Sequence, residues 1–123
     1  MNEKQDAKKR PGRLRSLWAG RRPKDSPRAG GDSAKVRMRY VFTGCVQGVG
    51  FRYRAYHAAN SLGLTGWVRN EFDGSVTLEV QGGRSSIDAM LGMIENSPYI
   101  EIDDIRSREI PEDPGEHAFE IAN

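Results

Sequence analysis

From Lys35 onward, apolar and polar residues alternate in two rhythms that divide the chain into elements. Val36, Met38, Tyr40 and Phe42 alternate with Arg37 and Arg39, the period-two pattern of a strand with one buried face. Phe51, Ala55, Ala58, Ala59 and Leu62 then recur at spacings of three and four, which predicts a helix with a narrow apolar stripe. Gly63 stands just past its end, where a glycine readily stops a helix. Thr65 to Asn70 reads as a second strand. Phe72-Asp73-Gly74-Ser75 has the central Asp-Gly pair of a type I′ hairpin. Val76, Leu78 and Val80 alternate with Thr77 and Glu79 in a third strand, which Gly82-Gly83 breaks. Ile87, Met90, Leu91 and Ile94 predict a second helix, with Ser85 as its cap and Asp88 adding a carboxylate to its first turn. Pro98 ends that helix. Ile100 and Ile102 open a fourth strand whose phase slips at Ile105, marking a bulge between Asp103 and Ile105. Pro111 and Pro114 bracket a turn, and Phe119 and Ile121 flank Glu120 in a short last strand.

The order is β-α-β-β-α-β, which predicts an α+β domain of the ferredoxin-like split type over residues 35–123. Two helices should cover one face of an antiparallel or mixed sheet and share one core with it.

Charge separates this part from what precedes it. Residues 1–34 hold ten Lys/Arg and four Asp/Glu, a balance of +6, and residues 35–123 hold nine and thirteen, a balance of −4. The first segment also has few large apolar residues, Leu14, Leu17 and Trp18 among them, and reads as a disordered basic tail. Such a tail can touch nucleic acid or an anionic surface by charge alone. It contains no base-reading module, so a solvated tail is the favoured expectation. One cysteine in the whole chain suits a reducing compartment. With no long apolar run and no secretory leader, the expectation is a cytoplasmic protein without a membrane span.

The stretch with chemical character is Gly44-Cys45-Val46-Gln47-Gly48-Val49-Gly50-Phe51-Arg52, which lies between the first strand and the first helix. Its glycines can turn several backbone N–H groups to one side, and the helix behind adds a partial positive charge. This describes an anion cradle with Arg52 at its edge. The spacing is neither a nucleotide P-loop nor the dinucleotide fingerprint. His57 and His117, sixty residues apart, and the single Cys45 offer no clustered metal ligands. Each histidine reads as a surface or packing residue. Arg54 and Arg69 read as solvated, and Cys45 as a thiol open to oxidants rather than a nucleophile.

Together, VQGVGFR, a short helix, LGLTGWVRN and the turn Asp73-Gly74 closely resemble the acylphosphatase family. The resemblance implies a small cytosolic enzyme, close to monomeric, that uses no metal and no organic cofactor. It would hydrolyse acyl phosphates to a carboxylate and inorganic phosphate. Arg52 resembles the family's phosphate-binding arginine, and Asn70 resembles its catalytic asparagine, whose amide orients the attacking water. The amides of Cys45, Val46, Gln47, Gly48, Val49 and Gly50 would surround the phosphoryl oxygens. The chemistry is consistent with so sparse a site. An alcohol leaves phosphorus poorly without a general acid or metal, whereas a carboxylate, with a conjugate acid of pKa about 4, needs neither. Two alternatives stay open. Acylphosphatase-like domains also occur in larger hydrogenase-maturation proteins that handle carbamoyl phosphate, although zinc-finger cysteines are missing here. A non-catalytic binding protein that uses its basic tail is the other.

Overall fold

The computed structural model describes residues 34–123. The expected basic tail, apart from Ala34, lies outside the described residues. The elements are β1 (Lys35–Cys45), α1 (Phe51–Leu62), β2 (Thr65–Asn70), β3 (Val76–Gly83), α2 (Arg84–Glu95), β4 (Glu101–Ile110) and β5 (Phe119–Ile121). Five strands form one sheet in the order β4-β1-β3-β2-β5. All neighbours are antiparallel except β2 and β5, which are parallel. Two helices on a mixed sheet is the α+β ferredoxin-like arrangement the pattern predicts.

The core lies between the sheet and the helices. Met38, Tyr40 and Phe42 of β1, Val68 of β2, and Val76, Leu78 and Val80 of β3 are buried there. They meet Phe51, Ala55, Ala58 and Ala59 of α1 and Ile87, Met90, Leu91 and Ile94 of α2. The alanine stripe lets α1 lie close to the sheet. Each large buried side chain contributes about 1.5–3 kcal/mol relative to exposure. Gly63 ends α1 with φ 71°. Leu64 N–H donates to the Ala59 carbonyl at 2.9 Å, which satisfies an otherwise open helix-end acceptor. The β4 bulge is present at Asp103: Thr43 pairs with Asp104, but Gly44 pairs with Ile102. The extra residue keeps both Ile102 and Ile105 buried, so the phase slip in the sequence is a real change of facing.

Three local expectations need correction. The β2–β3 connection is not a type I′ turn, which would require positive φ at Asp73 as well as Gly74. Only Gly74 is positive, at 96°. Glu71 N–H donates to the Ser75 carbonyl at 2.8 Å and Gly74 N–H to the Glu71 carbonyl at 3.1 Å, so three residues form the loop. Asp73 Oδ1 accepts from Ser75 N–H and Oγ–H instead, a bond that a left-handed Asp73 is not needed to make. Ser85 does not cap α2. The helix begins one residue earlier, at Arg84, with extended Gly83 before it and no side-chain cap. Asp88 consequently falls beyond the first turn.

The third correction concerns the other face of the sheet, expected to be solvated. Arg37, Thr77 and Gln81 are buried there. The segment between β4 and β5 crosses that face and is held by polar bonds. Gln81 Nε2 donates to the Asp113 carbonyl at 3.0 Å, and Asp113 N–H returns a bond to Gln81 Oε1 at 2.7 Å. Arg37 reaches Glu116 at 2.7 Å and Glu79 at 3.1 Å, and Glu79 also holds Arg39 at 2.6 Å. Burial works against the charge on Arg37, but its bonds to Glu116 and Glu79 outweigh that and raise its pKa.

Tyr40 provides a pH test of the core. Burial, with Asp88 nearby, pushes its phenol well above the usual range. The folded state therefore binds the phenolic proton more tightly than the unfolded chain. The resulting stability is complete below about pH 10, the unfolded pKa, and is lost as pH rises toward the folded value. Urea denaturation from pH 8 to 11.5 should show stability falling above pH 10 by up to about 1.4 kcal/mol per pH unit from this group. Tyr40→Phe should flatten that limb.

Candidate active site

Strand direction assembles the site. Because β3 is antiparallel to both β1 and β2, the latter two run the same way and end at the same edge of the sheet. Phe42 of β1 and Asn70 of β2 both pair with Val76, the first residue of β3. The loop after β1, the N-terminus of α1 and the end of β2 thus meet at one place.

Local backbone chemistry shapes the loop. Gly44, at the bulge, has φ 127°, and a Cβ there would press on the Glu101 carbonyl and come within 2.7 Å of Asp103 N. Gly48 and Gly50 are left-handed, with φ 76° and 85°. Nothing lies within 4 Å of where a Cβ would stand on either, so this backbone faces open space rather than packed protein. Gly50 is also the N-cap of α1, without a side-chain cap. The first-turn N–H groups of α1 therefore have no capping side chain and remain donors beside the loop. Val46 and Phe51 anchor the two ends of the loop in the core, with Phe51 packed on Phe42 at 4.8 Å between ring centroids. Gln47 fixes the middle. Its Nε2 donates to the Glu71 carbonyl at 2.7 Å and the Ser75 carbonyl at 2.9 Å, which ties the loop to the β2–β3 hairpin.

Arg52 is the second residue of α1 and half-buried, and Asn70 is the half-buried last residue of β2. A third residue connects them. Arg52 Nη1 donates to Asn123 Oδ1 at 2.9 Å and less closely to the Asn123 backbone oxygen at 3.4 Å. Asn123 Nδ2 donates to the Asn70 carbonyl at 2.9 Å. The Asn70 side-chain oxygen is itself buried and finds no hydrogen-bond partner among the described residues. Arg52 does not pair with Glu71. Arg69 holds that carboxylate through Nε at 3.1 Å and Nη2 at 2.9 Å. Hydrogen bonding from Thr77, then from Arg69, keeps the Glu71 carboxyl below its ordinary range.

The neighbouring arginines remain solvent-accessible but also have partners. Arg69 also lies over the Trp67 ring, 4.8 Å from its centroid, and Arg54 Nε donates to the Met93 carbonyl at 2.6 Å. Cys45 is an exposed free thiol opposite Glu101 in the β1–β4 register. His57 and His117 are both exposed, and His57 meets the Tyr53 ring edge-on at 4.3 Å. Among the described residues, no group of three or more His, Cys, Asp and Glu is placed to hold a metal, and no helix is long and apolar enough to cross a membrane.

A glycine-rich loop, an arginine and an asparagine amide thus meet at one end of the sheet, a combination chemically able to hold an anion. The family model for acylphosphatases matches residues 38–121. The chain belongs to the acylphosphatase family. An acylphosphatase of Oceanobacillus iheyensis is 44% identical over 80 residues, covering 63% of this chain and 88% of its own. One from Trichormus variabilis is 37% identical over 95 residues, 77% of this chain and 94% of its own. Among solved structures, the acylphosphatase of Bacillus subtilis superposes with a TM-score of 0.66 at 34% identity, over 72% of this chain and 99% of that one. Full-length HypF, in its phosphate- and nucleotide-bound form, matches with a TM-score of 0.66 at 30% identity, but over only 12% of its length. This acylphosphatase is accordingly an enzyme of the hydrolase class.

Two parts of the arrangement escaped the sequence reading. Gln47 was expected to contribute its backbone alone, yet its side chain braces the loop, and Asn123 was not expected at all. No local signal marks either, since both act on residues distant in the chain. Gln47→Ala should lower stability by about 1–2 kcal/mol through the two lost bonds and raise KM for benzoyl phosphate. Urea titration and steady-state kinetics on the same preparations would check both.

Proposed function

We propose that this acylphosphatase hydrolyses the carboxyl–phosphate bond with Arg52 and the amides of residues 45–50 holding the phosphoryl group and Asn70 orienting the attacking water. The observation that carries this reading is the meeting of the 45–50 loop, Arg52 and Asn70 at one end of the sheet, where Phe42 and Asn70 both pair with Val76. Arg52 and Asn70 belong to different elements yet share Asn123 as a partner, which supports their acting on one substrate.

The steps follow from these groups. The cradle N–H groups and the Arg52 guanidinium neutralise the phosphoryl oxygens, on which charge is spread in the transition state. Asn70 presents the water in line with the departing oxygen, so positioning replaces part of the entropic cost of the encounter. As the water oxygen bonds to phosphorus, the bond to the acyl oxygen breaks and a carboxylate leaves with that electron pair. The carboxylate is stable unprotonated near neutral pH, so no acid is required at that side. A phosphoryl oxygen takes the water's proton, because no side-chain base in the proposed site is assigned that role.

We place the enzyme in the cytoplasm as a monomer, with the single cysteine of the chain in support. Residues 1–34 form a separate basic tail in this reading. The identity to the bacterial acylphosphatases, 44% and 34% in the two cases above, supports acyl phosphate hydrolysis as the activity.

Hydrolysis of benzoyl phosphate in the presence of a chelator tests the assignment. Arg52→Ala and Asn70→Ala should each lower kcat/KM by about 100-fold or more, with both variants folded by circular dichroism. Variants as fast as the wild type would move the site elsewhere. Deletion of residues 1–34 should leave hydrolysis unchanged and remove any salt-sensitive binding to polyanions, and lost hydrolysis would overturn the proposed division.

A further inference from the structure

We infer that Asn123 is a positioning residue for the reaction, setting the Arg52 guanidinium for phosphoryl binding and referring it to Asn70. The inference rests on the roles proposed above for those two residues. Its starting point is the pair of bonds from one carboxamide, Oδ1 to Arg52 Nη1 and Nδ2 to the Asn70 carbonyl, each at 2.9 Å.

The sheet delivers Asn123 to this place. In the parallel β2–β5 pair, Gly66 lies opposite Phe119 and Val68 opposite Ile121, so the same offset continues to Asn70 and Asn123. Phe119 is buried, and Ala122 N–H donates to the Val68 carbonyl at 2.8 Å, which holds the strand in that register up to the residue before Asn123.

Arginine is long and loses considerable rotamer freedom when it binds an anion. A partner that already holds one guanidinium nitrogen removes part of that loss before the substrate arrives. Among the described residues, the guanidinium's hydrogen bonds run through Nη1 alone. Nε and Nη2 remain for two phosphoryl oxygens, the paired geometry that guanidinium favours. A neutral amide suits the task because it accepts from a cation and donates to a carbonyl at once. A carboxylate there would offset the charge of Arg52 and repel the phosphoryl group. Competition of Oδ1 with substrate for Arg52 would instead lower KM when the side chain is removed.

The test uses the full chain with Asn123→Ala and Asn123→Gln, measuring kcat and KM for benzoyl phosphate and the inhibition constant of inorganic phosphate. Arg52→Ala and Asn70→Ala are run alongside. Asn123→Ala should raise KM and the phosphate inhibition constant together by about tenfold, the size of one lost charge-assisted bond. kcat should change less than about threefold, since the group acts on binding, and the melting temperature should stay within about 2 °C of the wild type. Asn123→Gln keeps both ends of the amide and should recover most of the affinity. Unchanged or lower KM in Asn123→Ala would overturn the inference, as would a loss confined to kcat or an absence of rescue by Asn123→Gln. Should Arg52→Ala and Asn70→Ala retain wild-type kinetics, the underlying site assignment fails instead, and the two failures are told apart in one experiment.

Discussion

Val76 sits between Phe42 on one side and Asn70 on the other, and this three-residue register constrains everything at the end of the sheet that holds the proposed site. Antiparallel pairing on both sides of β3 obliges β1 and β2 to end together. The phosphate-type loop and the proposed water-holding asparagine then meet without any long connection reaching across the molecule. Buried Phe42, Val68 and Val76 maintain the pairing, because a slip of one residue would turn their apolar side chains to the wrong face.

The loop itself is stiffened from two directions. Val46 and Phe51 anchor its ends in the core, and Gln47 ties its centre to the hairpin. Between these anchors, Gly48 and Gly50 adopt conformations that a side chain would disfavour and leave the backbone facing open space. The proposed site of backbone amides depends on this stiffness, since amides that must reorganise around an anion lose much of their advantage over water.

The face of the sheet away from the helices performs a different task. There the segment between β4 and β5 lies over Arg37 and Gln81, held by hydrogen bonds and ion pairs. Polar groups buried in this way contribute less net stability than a packed apolar core, but their geometry specifies one docking arrangement. That arrangement matters at the site, because the same segment leads into β5. Through β5 the chain reaches Asn70 and Arg52.

The elements of the domain were legible in its sequence. The alternation of β1 and β3, the alanine stripe of α1, the stop at Gly63 and the phase slip at Ile105 all report local facing, and each is present where expected. The glycines flanking Val49 and the position of Arg52 likewise follow from short-range backbone chemistry. What the sequence could not decide depends on contacts between distant residues. Burial of Arg37, the partners of Arg54 and Arg69, the brace formed by Gln47 and the bridge formed by Asn123 leave no periodic trace. The hairpin shows the same limit at short range, because Asp73-Gly74 marks a turn, but the Glu71–Ser75 pairing chooses its type. Local pattern records which face each residue presents, whereas strand order and register, set by the packed core as a whole, decide which residues come together.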